Sequence, residues 1–223
     1  MFFAKFLRVD VFLFLCSFGI FLVWPEIDYA VSAIAFDPQT GFVFSELLFV
    51  KFLYELFAVI QWPVLFVLLY LIWGAWRKRK LSLRTKSVFL LVCLFLGPGL
   101  LVNEIIKKTS GRERPKDTVM FFGEREATNF LDFSGTCSSN CSFVSGHAAM
   151  GFWFISLFWV YRKSWVFFVG VLIGTAVGVG RILQGSHYLS DVIFAFWAVY
   201  LICMLSWHFL MRRSNPELNQ SAD

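Results

Sequence analysis

The chain has 223 residues, 58% hydrophobic and 20% aromatic, with only 16% charged and a formal net charge of +5. So much apolar surface with so little charge excludes both a soluble globule of this size and a disordered chain, and the small positive excess gives no reason to expect a nucleic-acid partner. The partner that this composition demands is a lipid bilayer.

A bilayer core of about 30 Å takes roughly 17 to 25 mainly apolar residues per helix. Six stretches qualify as candidates, near residues 6 to 24, 53 to 76, 87 to 106, 148 to 161, 165 to 183 and 192 to 211. The prediction is an all-α, polytopic, six-transmembrane-helix bundle forming one membrane domain, residues 1–213, followed by a polar tail, 214–223. The first stretch follows Lys5 and Arg8 as a secretory signal would, but it ends in Trp24-Pro25-Glu26 without a small-residue cleavage pattern, so it reads as a retained helix. The fourth is short and must begin inside Ser145-Gly146-His147 or be shielded by its neighbours.

Orientation follows the lysines and arginines of the short loops. Arg77, Lys78, Arg79, Lys80, Arg84 and Lys86 follow the second stretch, Arg162 and Lys163 the fourth, and Arg212 and Arg213 the sixth, which assigns these loops and both termini to the cytoplasm. The first outer loop carries Glu26, Asp28, Asp37 and Glu46 against Lys51. A long loop between the third and fourth stretches, from Lys107 to about Gly146, is expected in the periplasm although it holds Lys107, Lys108, Arg112, Arg114, Lys116 and Arg125. Long loops translocate largely regardless of charge.

Cys137 and Cys141 lie in that loop, while Cys16, Cys93 and Cys203 sit in apolar stretches. An oxidising compartment favours a Cys137–Cys141 disulfide, with free thiols as the alternative. Metal binding by the pair lacks a further thiol or histidine cluster at zinc spacing.

Three polar segments stand out: Lys107 with Arg114-Pro115, then Ser145-Gly146-His147, then Arg181 with His187 and Asp191. All fall on the outer face of the expected topology. Phosphoryl transfer is catalysed mainly by positioning and by cations that absorb phosphate charge. Arg114 and Arg181 offer planar forks and Lys107 a point charge; Lys108 is the rival of Lys107. Ser145 and Gly146 at a helix start add a hydroxyl and free N–H groups. His187 and Asp191, four residues apart, share a helical face, so the carboxylate can orient the imidazole or its neighbours. A histidine held this way is a competent nucleophile at phosphorus, and His147 can act as acid and then base. Read singly, each residue has a plainer meaning: cations at membrane borders snorkel to head groups, and a histidine near a helix end is commonly interfacial, as His208 is taken to be. Asp191 is harder to dismiss, because an acid at the start of an apolar helix is costly without a partner.

In order and spacing, Lys107, six residues, Arg114-Pro115; Ser145-Gly146-His147; and Arg181, five residues, His187, three residues, Asp191 resemble the three signature motifs of the phosphatidic acid phosphatase type 2 superfamily. The resemblance implies a six-helix membrane phosphatase needing no metal or other cofactor and acting on a lipid phosphate at the outer leaflet. It assigns Lys107, Arg114, Ser145, Gly146 and Arg181 to phosphate, His147 to acid/base work, His187 to nucleophilic attack and Asp191 to its support. Val144 and Gly180 stand where members usually have Pro and Ser. The run from Cys137 to Trp153, with Gln184-Gly185-Ser186-His187 and Ser190-Asp191, looks like the branch containing lipid A 4′-phosphatases, which implies a sugar phosphate at the periplasmic leaflet of a bacterial inner membrane. Undecaprenyl diphosphate, phosphatidylglycerol phosphate and phosphatidic acid are the alternative substrates. Competing classes are a transporter, which would place polar groups at mid-membrane, a metal-dependent hydrolase, and an inactive lipid-binding relative. Phe121, Phe122, Phe130 and Phe133 of the long loop either dock lipid or anchor the loop in the interface.

Overall fold

Prolines decide where the helices of this chain break. The computed structural model describes residues 2–211. Helix α1 (Phe2–Val23) ends at Trp24-Pro25, and α2 (Glu26–Ala33) leaves it at 82°. Helices α3 (Leu48–Val59) and α4 (Gln61–Arg77) meet at 41°. Pro63 has no N–H to give the Val59 carbonyl and its ring crowds that oxygen, which accounts for the break. Helix α5 (Leu81–Leu94) continues through a π-helical stretch, Phe95–Ile106, into a last short turn, α6 (Lys107–Thr109). The wide turns accommodate Pro98, and the amide of Asn103 donates to the Pro98 carbonyl at 2.8 Å.

Among the described residues, Leu81–Thr109, Ser164–Leu183 (α9) and Leu189–Leu210 are each long and apolar enough to cross a membrane, and each of the two bent pairs would make a further span. The last of these contains α10 (Leu189–Ser206). The protein is therefore mainly helical and built for a membrane, with three to five candidate spans rather than the expected six. The difference lies in the fourth stretch, 148 to 161. It runs as α7 (Gly146–Phe152), a 3-10 turn (Trp153–Ile155) and α8 (Ser156–Tyr161), closed by Arg162 at a left-handed φ of 56°. Its residues Ala148 to Trp153 and Ile155 are buried in protein, so it does not meet lipid as a free-standing span. The tail, 214–223, and the basic pair Arg212 and Arg213 lie outside the described residues.

One element escapes the all-α expectation. A two-stranded antiparallel hairpin, β1 (Phe36–Asp37) and β2 (Gly41–Phe42), follows α2, its turn built by the Asp37 carboxylate accepting from the backbone N–H groups of Gln39 and Thr40, both at 2.9 Å. Its ring Phe42 lies over Gly185, where an added Cβ would meet that ring at 2.3 Å. The hairpin thereby roofs the turn that carries His187.

Glycine lets α9 pack closely against α7, the 3-10 turn that follows it and α10. Gly170, Gly174 and Gly178 stand one turn apart on α9. A Cβ on Gly170 would sit 2.5 Å from the Ile155 backbone nitrogen, one on Gly174 2.1 Å from the Phe152 ring and one on Gly178 2.3 Å from Val192. Lipid supplies no hydrophobic drive between helices, so close backbone approach across small residues and the dispersion contacts it permits do the joining. Gly170→Val should accordingly lose about 1–3 kcal/mol by overpacking, read as a lowered melting temperature of the protein in detergent. Gly180→Ala is the control, since its Cβ would meet only Leu53 at 3.8 Å; equal melting of the two variants would refute the packing argument.

Candidate functional site

The three polar segments meet at one end of the bundle. Lys107 arrives on α6, Ser145 caps α7, Arg181 closes α9, and His187 and Asp191 flank the start of α10. The backbone stitches these pieces together: Ser145 N–H donates to the Asp191 carbonyl at 3.2 Å, Ser142 N–H to the Arg112 carbonyl at 2.8 Å, and Lys116 N–H to the Gly185 carbonyl at 2.9 Å.

Helix α7 starts where it does because the Ser145 hydroxyl accepts from Ala148 N–H at 3.4 Å while Ser145 itself stays extended. Gly146 follows with no side chain, and a Cβ there would sit 2.5 Å from the Asn103 side-chain oxygen, which would have to shift. The second polar segment thus lies close against Asn103 of the π-helix that leads to the first.

Lys107 is buried, whereas Lys108 points outward and pairs with Glu104. The Lys107 ammonium interacts electrostatically with Arg114, Arg181 and Asp191, and His147 with Arg181, His187, Lys107 and Arg114. Arg181 is held by Gln184 through one guanidinium nitrogen and lies over the Tyr54 ring at 4.6 Å. Tyr54 also stacks on His147, centroids 5.0 Å apart. Arg114 is partly exposed, and both its Nε and Nη2 donate to the Asn140 carbonyl, at 3.1 and 2.8 Å. Asn140 belongs to the loop closed by a Cys137–Cys141 disulfide, Cα atoms 5.6 Å apart.

His187 is fully buried, and its Nδ1 lies 2.8 Å from the Ser142 carbonyl. A carbonyl only accepts, so Nδ1 carries the proton and Nε2 keeps a free lone pair. Among the described residues Nε2 has no hydrogen-bond partner, nor have Nε2 of His147 and Nε of Arg181. Burial, assisted by Lys107 and Arg181 against the opposing pull of Asp191, pushes the His187 imidazole down to about 4, so it is neutral at physiological pH.

Asp191 is 3.4 Å from His187 Nδ1, yet one of its oxygens also accepts from the Ser142 hydroxyl and from Tyr188 N–H at 2.8 Å. It thus orients the imidazole both directly and through Ser142. Its other oxygen accepts from Arg112 at 2.7 Å. In the sequence Arg112 stands among the loop cations and Asp28 among the loop acids, with no visible partner for either, because the contacts joining Arg112 to Asp191 and to Asp28 span 79 and 84 residues of chain. Tyr54 was missed for the same reason. Ser142 had a local signal, three residues before Ser145.

The loop aromatics divide. Phe130 is buried and stacks on Phe194 at 4.9 Å, and Phe121 is buried against Phe36 and Phe42, whereas Phe122 and Phe133 are exposed.

Among the described residues there is no group of three or more His, Cys, Asp and Glu that could hold a metal ion. Cations dominate the mouth, and a cationic mouth with free imidazole nitrogens is suited to an anion.

Comparison with known proteins gives the same picture. The PAP2 superfamily model matches residues 86–215, which include all three polar segments. The chain is 33% identical over 216 residues to a lipid A 4′-phosphatase of Francisella tularensis subsp. novicida, covering 90% of this chain and 95% of that protein. It is 40% identical over 103 residues to a lipid A 4′-phosphatase of Rhizobium leguminosarum, covering 45% of this chain and 44% of that protein. No solved structure matches. Motif spacing, site geometry and a match over more than half its length lead to one conclusion: the chain belongs to the PAP2 superfamily of phosphatases.

Proposed function

We propose that this phosphatase removes the 4′-phosphate of lipid A at the periplasmic leaflet of a bacterial inner membrane, through a phosphohistidine on His187 and without a metal. The observation that carries the reading is a neutral, fully buried imidazole with Nε2 unpartnered, set among Lys107, Arg114 and Arg181. The lipid A 4′-phosphatases that share its sequence support the choice of substrate. Both termini are then cytoplasmic and the polar segments face outward.

The chemistry proceeds in two displacements. Lys107, Arg114 and Arg181 hold the non-bridging oxygens, with Ser145 and the N–H groups of the α7 start beside them. His187 Nε2 attacks phosphorus; the P–N bond forms as the P–O ester bond breaks, and its electron pair leaves on the sugar oxygen. Burial and the cations Arg181, Lys107 and Arg114 push the His147 imidazole down to about 3, so it takes up a proton only once the phosphate dianion offsets those cations. It then gives that proton to the leaving oxygen. Nδ1 keeps its own proton, so the phosphorylated ring carries a positive charge that Asp191 offsets. Water then attacks phosphorus, His147 takes a proton from it, and the electrons of the P–N bond return to Nε2.

His187→Ala should abolish 4′-phosphate release from lipid A, followed by mass spectrometry with site-resolved fragmentation, while the wild type trapped during turnover carries acid-labile phosphate on His187. Release by the folded variant would remove the nucleophile assignment; unchanged lipid A beside phosphate release from undecaprenyl diphosphate or phosphatidylglycerol phosphate would move the enzyme to another lipid. Lys107→Ala or Arg181→Ala should lose on the order of 10² or more in kcat, the usual cost of one charge-stabilising group; a loss of only a few-fold would take that residue off the phosphate. The Cys137→Ser, Cys141→Ser double variant should raise KM more than it lowers kcat, because the Asn140 carbonyl that aims Arg114 loses its closed loop. Unchanged KM would mean that Arg114 does not depend on that loop.

A further inference from the structure

Behind His187 lies a buried charge cluster made from three distant parts of the chain. Arg112 is 1% exposed, Asp28 2% and Asp191 0%. One Arg112 nitrogen, Nη1, donates to Asp191 at 2.7 Å and to the Ser190 hydroxyl at 2.8 Å; the other, Nη2, donates to Asp28 at 2.8 Å, and Nε donates to the Thr128 carbonyl at 3.0 Å. The guanidinium also lies over the Tyr188 ring at 4.0 Å. Asp28 accepts in addition from Ser190 N–H, at 2.8 Å, and from the Ser190 hydroxyl.

Arg112 alone beside Asp191 would make a neutral pair, leaving little negative charge for the imidazole. With Asp28 ionised, as the donors Arg112 Nη2, Ser190 N–H and the Ser190 hydroxyl around it favour, two carboxylates and one guanidinium give the cluster a net charge of −1. His187 is neutral before attack and positive once phosphorylated at Nε2, so a residual negative charge behind it favours the intermediate and the transition state leading to it. The Arg112 fork also fixes which Asp191 oxygen faces Ser142 and His187, since it occupies the other.

We propose that Asp28 and Arg112 are positioning residues for the reaction: Arg112 orients Asp191, and Asp28 restores the negative charge that Arg112 would otherwise cancel. The proposal rests on His187 as nucleophile. Neither residue touches the phosphate, so both act on the chemical step rather than on binding.

The test uses the full-length enzyme in detergent with lipid A. Asp28→Asn should lower kcat about 10- to 100-fold, the cost known for carboxylates that orient a histidine from behind in metal sites, leave KM near the wild-type value, and slow the appearance of phosphohistidine in rapid-quench experiments. Asp28→Glu should recover much of kcat by returning the charge. Introducing Asp28→Asn into an Asp191→Asn background should add little, because the two act as a unit. Folded fraction, measured by thermal melting, normalises each rate. Should Asp28→Asn fail to fold, Arg112→Lys, which keeps the charge but loses the fork, decides by the same kcat and KM reading. A folded variant with kcat close to wild type, or a loss explained wholly by unfolded protein, overturns the proposal while phosphohistidine in the wild type still stands; absence of phosphohistidine in the wild type overturns the catalytic reading as well.

Discussion

A guanidinium buried between two carboxylates is the constraint around which the site end of this protein is organised. Removing those ions from water costs several kcal/mol each, and only close hydrogen bonding offsets it. The offset here is nearly complete, with four donors of Arg112 engaged and every acid oxygen of Asp28 and Asp191 used. Because the partners come from α2, the long loop and α10, the cluster can exist only when all three are seated. It therefore fixes the loop backbone that supplies the Ser142 carbonyl, and with it the tautomer of His187. Removing one partner would strand a buried charge, which is why such a cluster favours a single arrangement over looser ones.

The rest of the bundle makes that seating possible. The glycine stripe of α9 lets α7 approach to backbone contact, which carries His147 inward beside Arg181. Aromatic rings fill what remains: Phe130 of the loop stacks on Phe194 of α10, so the loop is held to the core by apolar contact on one side of the charge cluster and by ion pairing within it. The hairpin closes the other side over Gly185, whose φ of +60° no bulky residue adopts cheaply.

Reaction class and family were legible in the sequence because they depend on residue type at short spacing. Lys107 to Arg114 and Arg181 to Asp191 are local patterns, and a chain so apolar leaves few polar residues to compete with them. What escaped reading depends on contacts made far along the chain. Nothing local distinguishes Arg112 from Lys108 or Lys116, yet one is buried with three side-chain partners and the others are exposed. The fourth stretch reads in the sequence as short and in need of shielding by its neighbours, and it runs as α7, a 3-10 turn and α8, starting at Gly146 and covered by protein. Hydropathy counts apolar residues without knowing whether protein or lipid will cover them. The proline breaks at Pro25 and Pro63 were visible as residues, but the angles they impose were not.

Burial is graded across the site, and the gradient bears on how a lipid phosphate is handled. Arg114 is partly exposed and hangs on one backbone carbonyl, Arg181 and Lys107 are buried more deeply, and His187 is fully enclosed. A carbonyl is a weaker partner for a guanidinium than a phosphate dianion is, so Arg114 can exchange Asn140 for an incoming phosphate at little cost. Arg181 likewise holds one hydrogen-bond partner, the Gln184 side chain, and among the described residues its Nε has none. The His187 imidazole, already neutral and fixed in one tautomer, needs no rearrangement to present Nε2. Preorganisation of this kind places the cost of assembling charges in folding, where the Arg112 cluster meets it, and leaves the chemical step with little reorganisation to perform.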